Sequence, residues 1–250
     1  SLPRIKASRH QGIKARVAGW DTQGFCTGST HSMHSTHRTQ RMDGMNESAV
    51  LQVDGLCFAY PECEVIRHWS ATFPAGVVWV RGDESSGKTT LLRLLAGQLV
   101  PQAGRMVLHG RDHLEDRKAW AAAVFWADPR SEAFDTPTAR QWLHGLPARY
   151  PAWSDAALAA HVAGFSLDEH LDKPFYALST GSKRKVLLAG ALASGAALTL
   201  IDEPVGGLDK PSVAYLGQAL ARAACEPQRV VVVAHYEALP GVPWGAVLDL

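Results

Sequence analysis

Gly82-Asp83-Glu84-Ser85-Ser86-Gly87-Lys88-Thr89 matches G-x-x-x-x-G-K-[ST] at every fixed position. Such a stretch describes a phosphate cradle. Its glycines let the backbone curl until consecutive N–H groups converge on an anion. The lysine can reach the β- and γ-phosphates, and the hydroxyl that follows can ligate Mg²⁺. The flanks agree. Val77-Val78-Trp79-Val80 is a short apolar run suited to a buried strand, and Thr90 through Ala96 has the composition of a helix whose N-terminus would face the phosphates. Strand, glycine loop and helix in this order separate the motif from a turn that merely precedes a lysine. Gly82, Ser85, Ser86, Gly87, Lys88, Thr89 and Thr90 are therefore the candidate nucleotide-binding residues. Lys88 is also a candidate catalytic group, and Thr89 a candidate metal ligand.

The chain has 250 residues, enough for one substantial core, and its net charge is close to zero. That charge is unevenly spread. Residues 1–44 carry seven Lys/Arg against two acids, leaving 18 basic and 22 acidic residues from Met45 onward. A mildly acidic body argues against nucleic acid as a partner. The four cysteines are scattered without a C-x-x-C pair, which points to a reduced, cytosolic compartment. No apolar h-region marks the N-terminus, so no signal peptide is expected. Val186 through Ile201 is almost wholly apolar or small, but Gly190, Ser194, Gly195 and Thr199 interrupt it. It reads as a buried helix turning into a buried strand rather than a membrane span.

Residues 1–44 are rich in Ser, Thr, Gly, His and Gln, with no sustained periodicity, and read as a disordered or expression-derived extension. The His31, His34, His37 triplet inside them has no Cys or acid beside it and reads as incidental rather than as a metal cluster. Residues 45–250 form the folded domain. Leu51 and Val53, then Leu56, Phe58 and Tyr60, then Trp69, Ala71 and Phe73 alternate with polar residues as strands do. Met106-Val107-Leu108 looks like another strand. The expected architecture is α/β, a P-loop NTPase core with a mixed sheet and an antiparallel β-subdomain on its N-terminal side. A helical subdomain is inserted at about residues 128–177. Within it, Thr138-Ala139-Arg140-Gln141 fits a capping box, and Ala156 through Ala163 is helical. Strand chemistry returns at Leu198–Ile201 and Val230–Val233, whose all-apolar character suits central parallel strands covered on both faces.

Further constellations narrow the chemistry. Leu198 to Ile201 leads directly into Asp202-Glu203-Pro204. An Asp at a strand's end holds Mg²⁺ in P-loop enzymes, and a second carboxylate after it can polarise the water that attacks the γ-phosphate. Leu178-Ser179-Thr180-Gly181-Ser182-Lys183 opens a cationic helix whose hydroxyl and free N–H groups suit an anion, although a solvated N-cap explains it equally well. His235 follows four valines, at the C-terminal tip of a buried strand, where ligands sit in open α/β sheets. Tyr60 ends an early strand and could stack on a purine or pack in a core.

The order and spacing of these elements resembles the nucleotide-binding subunits of ABC transporters, from about Leu51 to the C-terminus. In that family a P-loop, a helical insert, an L-S-G-G-Q-like signature, a strand ending in Asp-Glu-Pro, a G-L-D turn (here Gly206-Gly207-Leu208-Asp209) and a strand ending in His follow in this order. The resemblance implies that two such subunits, identical or different, sandwich ATP and Mg²⁺ head to tail, with Ser179 and Gly181 acting in trans. It implies that Tyr60 stacks on adenine, Glu203 activates water and His235 senses the γ-phosphate. It further implies a separate transmembrane permease, with the chain peripheral on the inner face of the cell membrane.

Three departures stand out. The signature reads L-S-T-G-S, without the first Gly and the Gln. The family's glutamine between P-loop and insert has no clear counterpart, Asp128 being the best positional candidate for its metal contact. Asp83 and Glu84 place acids inside the phosphate loop. A slow or partner-dependent ATPase is the expectation. Two other classes compete with it: an ABC-type ATPase of translation or DNA repair, and a P-loop kinase. The first lacks its usual tandem modules here, and the Asp-Glu-Pro strand end and His235 argue against the second.

Overall fold

The computed structural model describes residues 49–131 and 136–250, so the expected extension and its histidine triplet lie outside the described residues. The apolar runs form a five-stranded sheet whose pairings are all parallel, ordered β6-β7-β8-β3-β9. These strands are β3 (Gly76–Arg81), β6 (Val124–Trp126), β7 (Leu198–Asp202), β8 (Val230–Ala234) and β9 (Trp244–Asp249). All of β7 and β8 is buried because both faces are covered. Val78, Val80, Leu198, Leu200, Val230 and Val232 enter one core, whereas Val77, Ile201, Val231 and Val233 enter a second on the opposite face. Period-two alternation thus survives in strands that read as uniformly apolar.

The expected mixture of strand directions is divided between two sheets rather than shared within one. β1 (Ala49–Tyr60), β2 (Cys63–Pro74), β4 (Ala103–Leu108) and β5 (Arg111–Asp112) make a separate antiparallel sheet in the order β2-β1-β4-β5. The sequence suggested two strands broken at Gly55. Instead β1 runs through that glycine, at φ 58°, with register shifts on both partners, as a bulge allows. The buried face of this sheet (Leu51, Val53, Leu56 and Phe73) packs into the first core together with helix α1 (Lys88–Leu95).

The second core is roofed by helices. After α2 (Arg117–Ala123) and β6 come α3 (Ala139–Gly145) and α4 (Asp155–Gly164), then α5 (Thr180–Ala193) and α6 (Lys210–Ala223). Side chains cap the four helices that follow β6, the first of them by the capping box its sequence suggests. Thr138 and Gln141 form the reciprocal capping box of α3, Ser154 caps α4, Ser179 caps α5 and Asp209 caps α6. The helical segment is closed at its neck by a bridge between Thr138 and Pro174 and by the Arg140–Asp172 ion pair at 2.7 Å. Among the described residues, no helix is long and apolar enough to cross a membrane.

Candidate functional site: a phosphate-loop cleft

Parallel topology sets the site. The carboxyl ends of β3, β7 and β8 are neighbours, so whatever follows each strand meets at one edge of the sheet. β3 delivers the glycine loop, β7 the Asp202-Glu203 pair and β8 His235. An open cleft of about 740 Å³ lies at this edge, lined by Asp83, Glu84, Ser85, Gly87, Lys88, Thr89 and Thr90 together with Glu203, Val65, Arg130 and Tyr236.

The loop is held in shape by its own lysine. Lys88 is buried, and its Nζ donates to the carbonyls of Gly82 (2.9 Å) and Asp83 (2.7 Å). Two glycines are required sterically: a Cβ at Gly82 would lie 2.3 Å from Ser86 Oγ. One at Gly87, where φ is 102°, would lie 2.6 Å from Val65 Cγ1. Ser85 also adopts a left-handed φ of 64°. Left-handed residues two positions apart at the start of α1 suit the backbone pattern of an anion nest. The Ser86 hydroxyl is buried without a hydrogen-bond partner among the described residues.

Thr89 Oγ1 donates to Asp202 Oδ2 at 2.7 Å across 113 residues of sequence. Burial pushes the Asp202 carboxyl up, and the Thr89 hydrogen bond works against it. The other oxygen, Asp202 Oδ1, is buried with no hydrogen-bond partner among the described residues. A hydroxyl, one carboxylate with a free oxygen and adjacent phosphate space suit Mg²⁺, which keeps most of its waters and takes few protein ligands.

Glu203 follows with φ 44°, its N–H donating to Ala234 O at 2.9 Å. The side chain lies between two cations or potential cations: Oε2 is 2.6 Å from His235 Nδ1, and Oε1 is 3.8 Å from Lys88 Nζ. His235 is buried and anchored through its backbone, its N–H to Val80 O (3.2 Å) and its carbonyl to Trp79 Nε1 (2.9 Å).

The remaining expected residues lie at other distances from the cleft. Tyr60 is 38% exposed, edge-on to Phe58 with ring centroids 4.9 Å apart, its hydroxyl 3.5 Å from Thr90 Oγ1. Asp128 is already committed: Oδ2 accepts from Arg93 (2.8 Å) and Oδ1 from the Arg130 N–H (2.9 Å). Burial works to raise this carboxyl, but those two bonds hold it below its ordinary value. Ser179 and Gly181 do not line the cleft. Ser179 Oγ accepts from Ser182 N at 3.0 Å, and Gly181 packs so closely on Gly207 that a Cβ would sit 2.2 Å from the Gly207 carbonyl oxygen. Arg184 donates to Gly206 O and Lys185 pairs with Asp209 at 2.6 Å, which ties the signature helix to the G-L-D turn.

Val65, Arg130 and Tyr236 escaped the sequence reading. No local pattern marks Val65 or Arg130, and only adjacency to His235 could have suggested Tyr236.

The description "ABC transporter" belongs to the family model that matches residues 67–206, a span from within the second antiparallel strand to the first residue of the G-L-D turn. The chain belongs to the ABC transporter family. This ABC ATPase binds and hydrolyses ATP as a nucleotide-binding subunit. Among its relatives, the cytochrome c biogenesis ATP-binding export protein CcmA of Pseudomonas putida is 37% identical over 166 residues, covering 66% of this chain and 79% of that protein. The protein of the same description from Sphingopyxis alaskensis is 32% identical over 190 residues, covering 76% and 91%. An ABC transporter ATP-binding protein structure from Pyrococcus furiosus superposes with a TM-score of 0.65 at 21% identity, over 80% of this ABC ATPase and 96% of that chain, a likeness of fold.

Proposed function

We propose that the chain is the ATP-hydrolysing engine of an export system, acting on a separate transmembrane permease. The observation that carries this is the meeting of Lys88, Thr89, Asp202, Glu203 and His235 at three adjacent strand ends, where Lys88, Thr89 and Glu203 line the cleft and Asp202 and His235 bond to Thr89 and Glu203. Lys88 and the loop N–H groups hold the β- and γ-phosphates. Tyr60, partly exposed beside Thr90, offers its ring to the adenine. Thr89 and Asp202 would hold Mg²⁺, with the free Asp202 Oδ1 supporting that assignment. When bound, the ion supplies charge neutralisation on the phosphates. Asp128, engaged by Arg93, is better suited to shaping the loop after β6 than to ligating metal.

Glu203 accepts the proton of a water whose oxygen forms the new bond to the γ-phosphorus as the bond to the ADP oxygen breaks. His235 holds that carboxylate in place through the 2.6 Å contact. Ser179 and Gly181 lie outside the cleft, which favours their completing the site of a second ATPase subunit. An exporting role in cytochrome c biogenesis is the setting that the relatives' names support. Phosphate release by the purified chain with Mg-ATP and no acceptor tests the enzymatic core, and co-purification with a permease tests the assembly. Absence of both activities in the assembled complex would refute the reading.

A further inference from the structure

The cleft is poor in positive charge for a site that must receive a triphosphate. Asp83, Glu84 and Glu203 line it, and Lys88 has two of its three N–H donors on loop carbonyls. Arg130 is the other cation on its wall. Its side chain is exposed and has no hydrogen bond or ion pair among the described residues, so its fork of donors is uncommitted. Its backbone, by contrast, is anchored. The Arg130 N–H is held by Asp128 Oδ1, and Asp128 Oδ2 is held by Arg93 of α1, the helix that begins in the phosphate loop. The guanidinium therefore rises from a base tied to the same helix as Lys88 and Thr89.

We propose that Arg130 is a catalytic residue supplied in cis, whose guanidinium pairs with the terminal phosphate of ATP across the cleft from Lys88. An arginine suits this because its planar fork meets two phosphate oxygens at once and stays charged throughout turnover. It forms no covalent bond; it stabilises the charge that spreads over the terminal phosphate oxygens as the water attacks and ADP leaves. It also balances the acids that this phosphate loop carries. Asp128 then acts as a positioning residue, holding the turn that presents Arg130. The proposal rests on the nucleotide-site reading given above.

The test compares ATP and ADP affinities of the full chain, by competition with a fluorescent nucleotide in Mg²⁺, in a Glu203→Gln background whose turnover is expected to be strongly slowed. Arg130→Ala should weaken ATP about tenfold and leave ADP within about twofold, the signature of a contact to the terminal phosphate. Arg130→Lys should recover part of that loss. In the otherwise native chain, Arg130→Ala should lower kcat roughly 10²-fold. The side chain is exposed and free, so the unfolding midpoint should not move. Equal weakening of ATP and ADP, or no weakening of either, overturns the Arg130 assignment and leaves the nucleotide site standing. Failure of the Glu203→Gln chain to bind either nucleotide overturns the site itself, and the assignment with it.

Discussion

Glu203 Oε2 and His235 Nδ1 lie 2.6 Å apart, joining the tips of two adjacent parallel strands. Neither side chain is placed by its neighbours in sequence. Glu203 sits at φ 44°, a conformation that a residue with a side chain adopts at a cost, and its N–H bond to Ala234 O secures it there. From that backbone position the carboxylate meets the imidazole at 2.6 Å and lies 3.8 Å from the loop lysine.

Replacing Glu203 with Gln should keep the shape of the site and remove the proton acceptor. Turnover should fall by about 10²–10⁴-fold while ATP binding is retained. Phosphate release and nucleotide binding, measured on the same preparation, check this. Turnover within tenfold of the native rate would mean that another group takes the proton.

His235→Ala removes the partner that orients Glu203 without touching the phosphate loop. The kcat should drop roughly 10²-fold with little change in affinity for ATP. A loss confined to affinity would mean that His235 serves binding alone.

Asp202→Asn retains an acceptor for Thr89 but takes a charge away from the cation position. The dependence of ATP affinity on Mg²⁺ concentration should flatten, with affinity in the absence of the ion unchanged or improved. Titrating Mg²⁺ at fixed nucleotide distinguishes this from a general loss of fold.

Gly181→Ala would push a methyl group to 2.2 Å from the Gly207 carbonyl oxygen, so the turn or the helix must give way. A destabilisation of about 1–3 kcal/mol is expected, read as a lower unfolding midpoint. Gly145→Ala, where a Cβ meets nothing within 4 Å, is the control and should not lower it.

His161 supplies a pH dependence of stability. Burial, reinforced by Arg222 and Arg229, lowers its folded value from 6.5 to about 4, and its Nδ1 lies 3.0 Å from the Tyr215 hydroxyl. The unfolded chain therefore takes up a proton first as pH falls. Stability is full above about 6.5 and is lost progressively toward 4, by on the order of 3 kcal/mol from this group. Denaturant midpoints at pH 8 and pH 5 should differ more for the native chain than for His161→Phe. An identical difference would exclude His161 as the source.

Much of the fold was legible because its signals are contiguous. The loop lies between an apolar run and a helix, the helix caps sit beside the turns they cap, and the strands alternate or are apolar throughout. What was missed had weak local marks. β6 is three residues long, too short for a strand pattern to stand out until it is seen paired to β7. The sequence also suggested that the phosphate-loop strand sits beside the antiparallel strands, whereas it joins β8 and β9 in the parallel sheet. Hydrogen-bonding partners are chosen by which faces can be buried together, and that is a property of the assembled layers.

By itself, then, the sequence determined the phosphate loop, the acidic strand end, the terminal histidine and the helix caps, since each depends on residues within a few positions of one another. The tertiary structure decided how these act on one another. It brought Thr89 to Asp202 across 113 residues and left one Asp202 oxygen buried and free. It paired Glu203 with His235, bound Asp128 to Arg93, and set Val65, Arg130 and Tyr236 on the walls of the cleft. The physical reason is that parallel strands gather their carboxyl ends at one edge. Residues far apart in the chain meet there only once both faces of the sheet are covered.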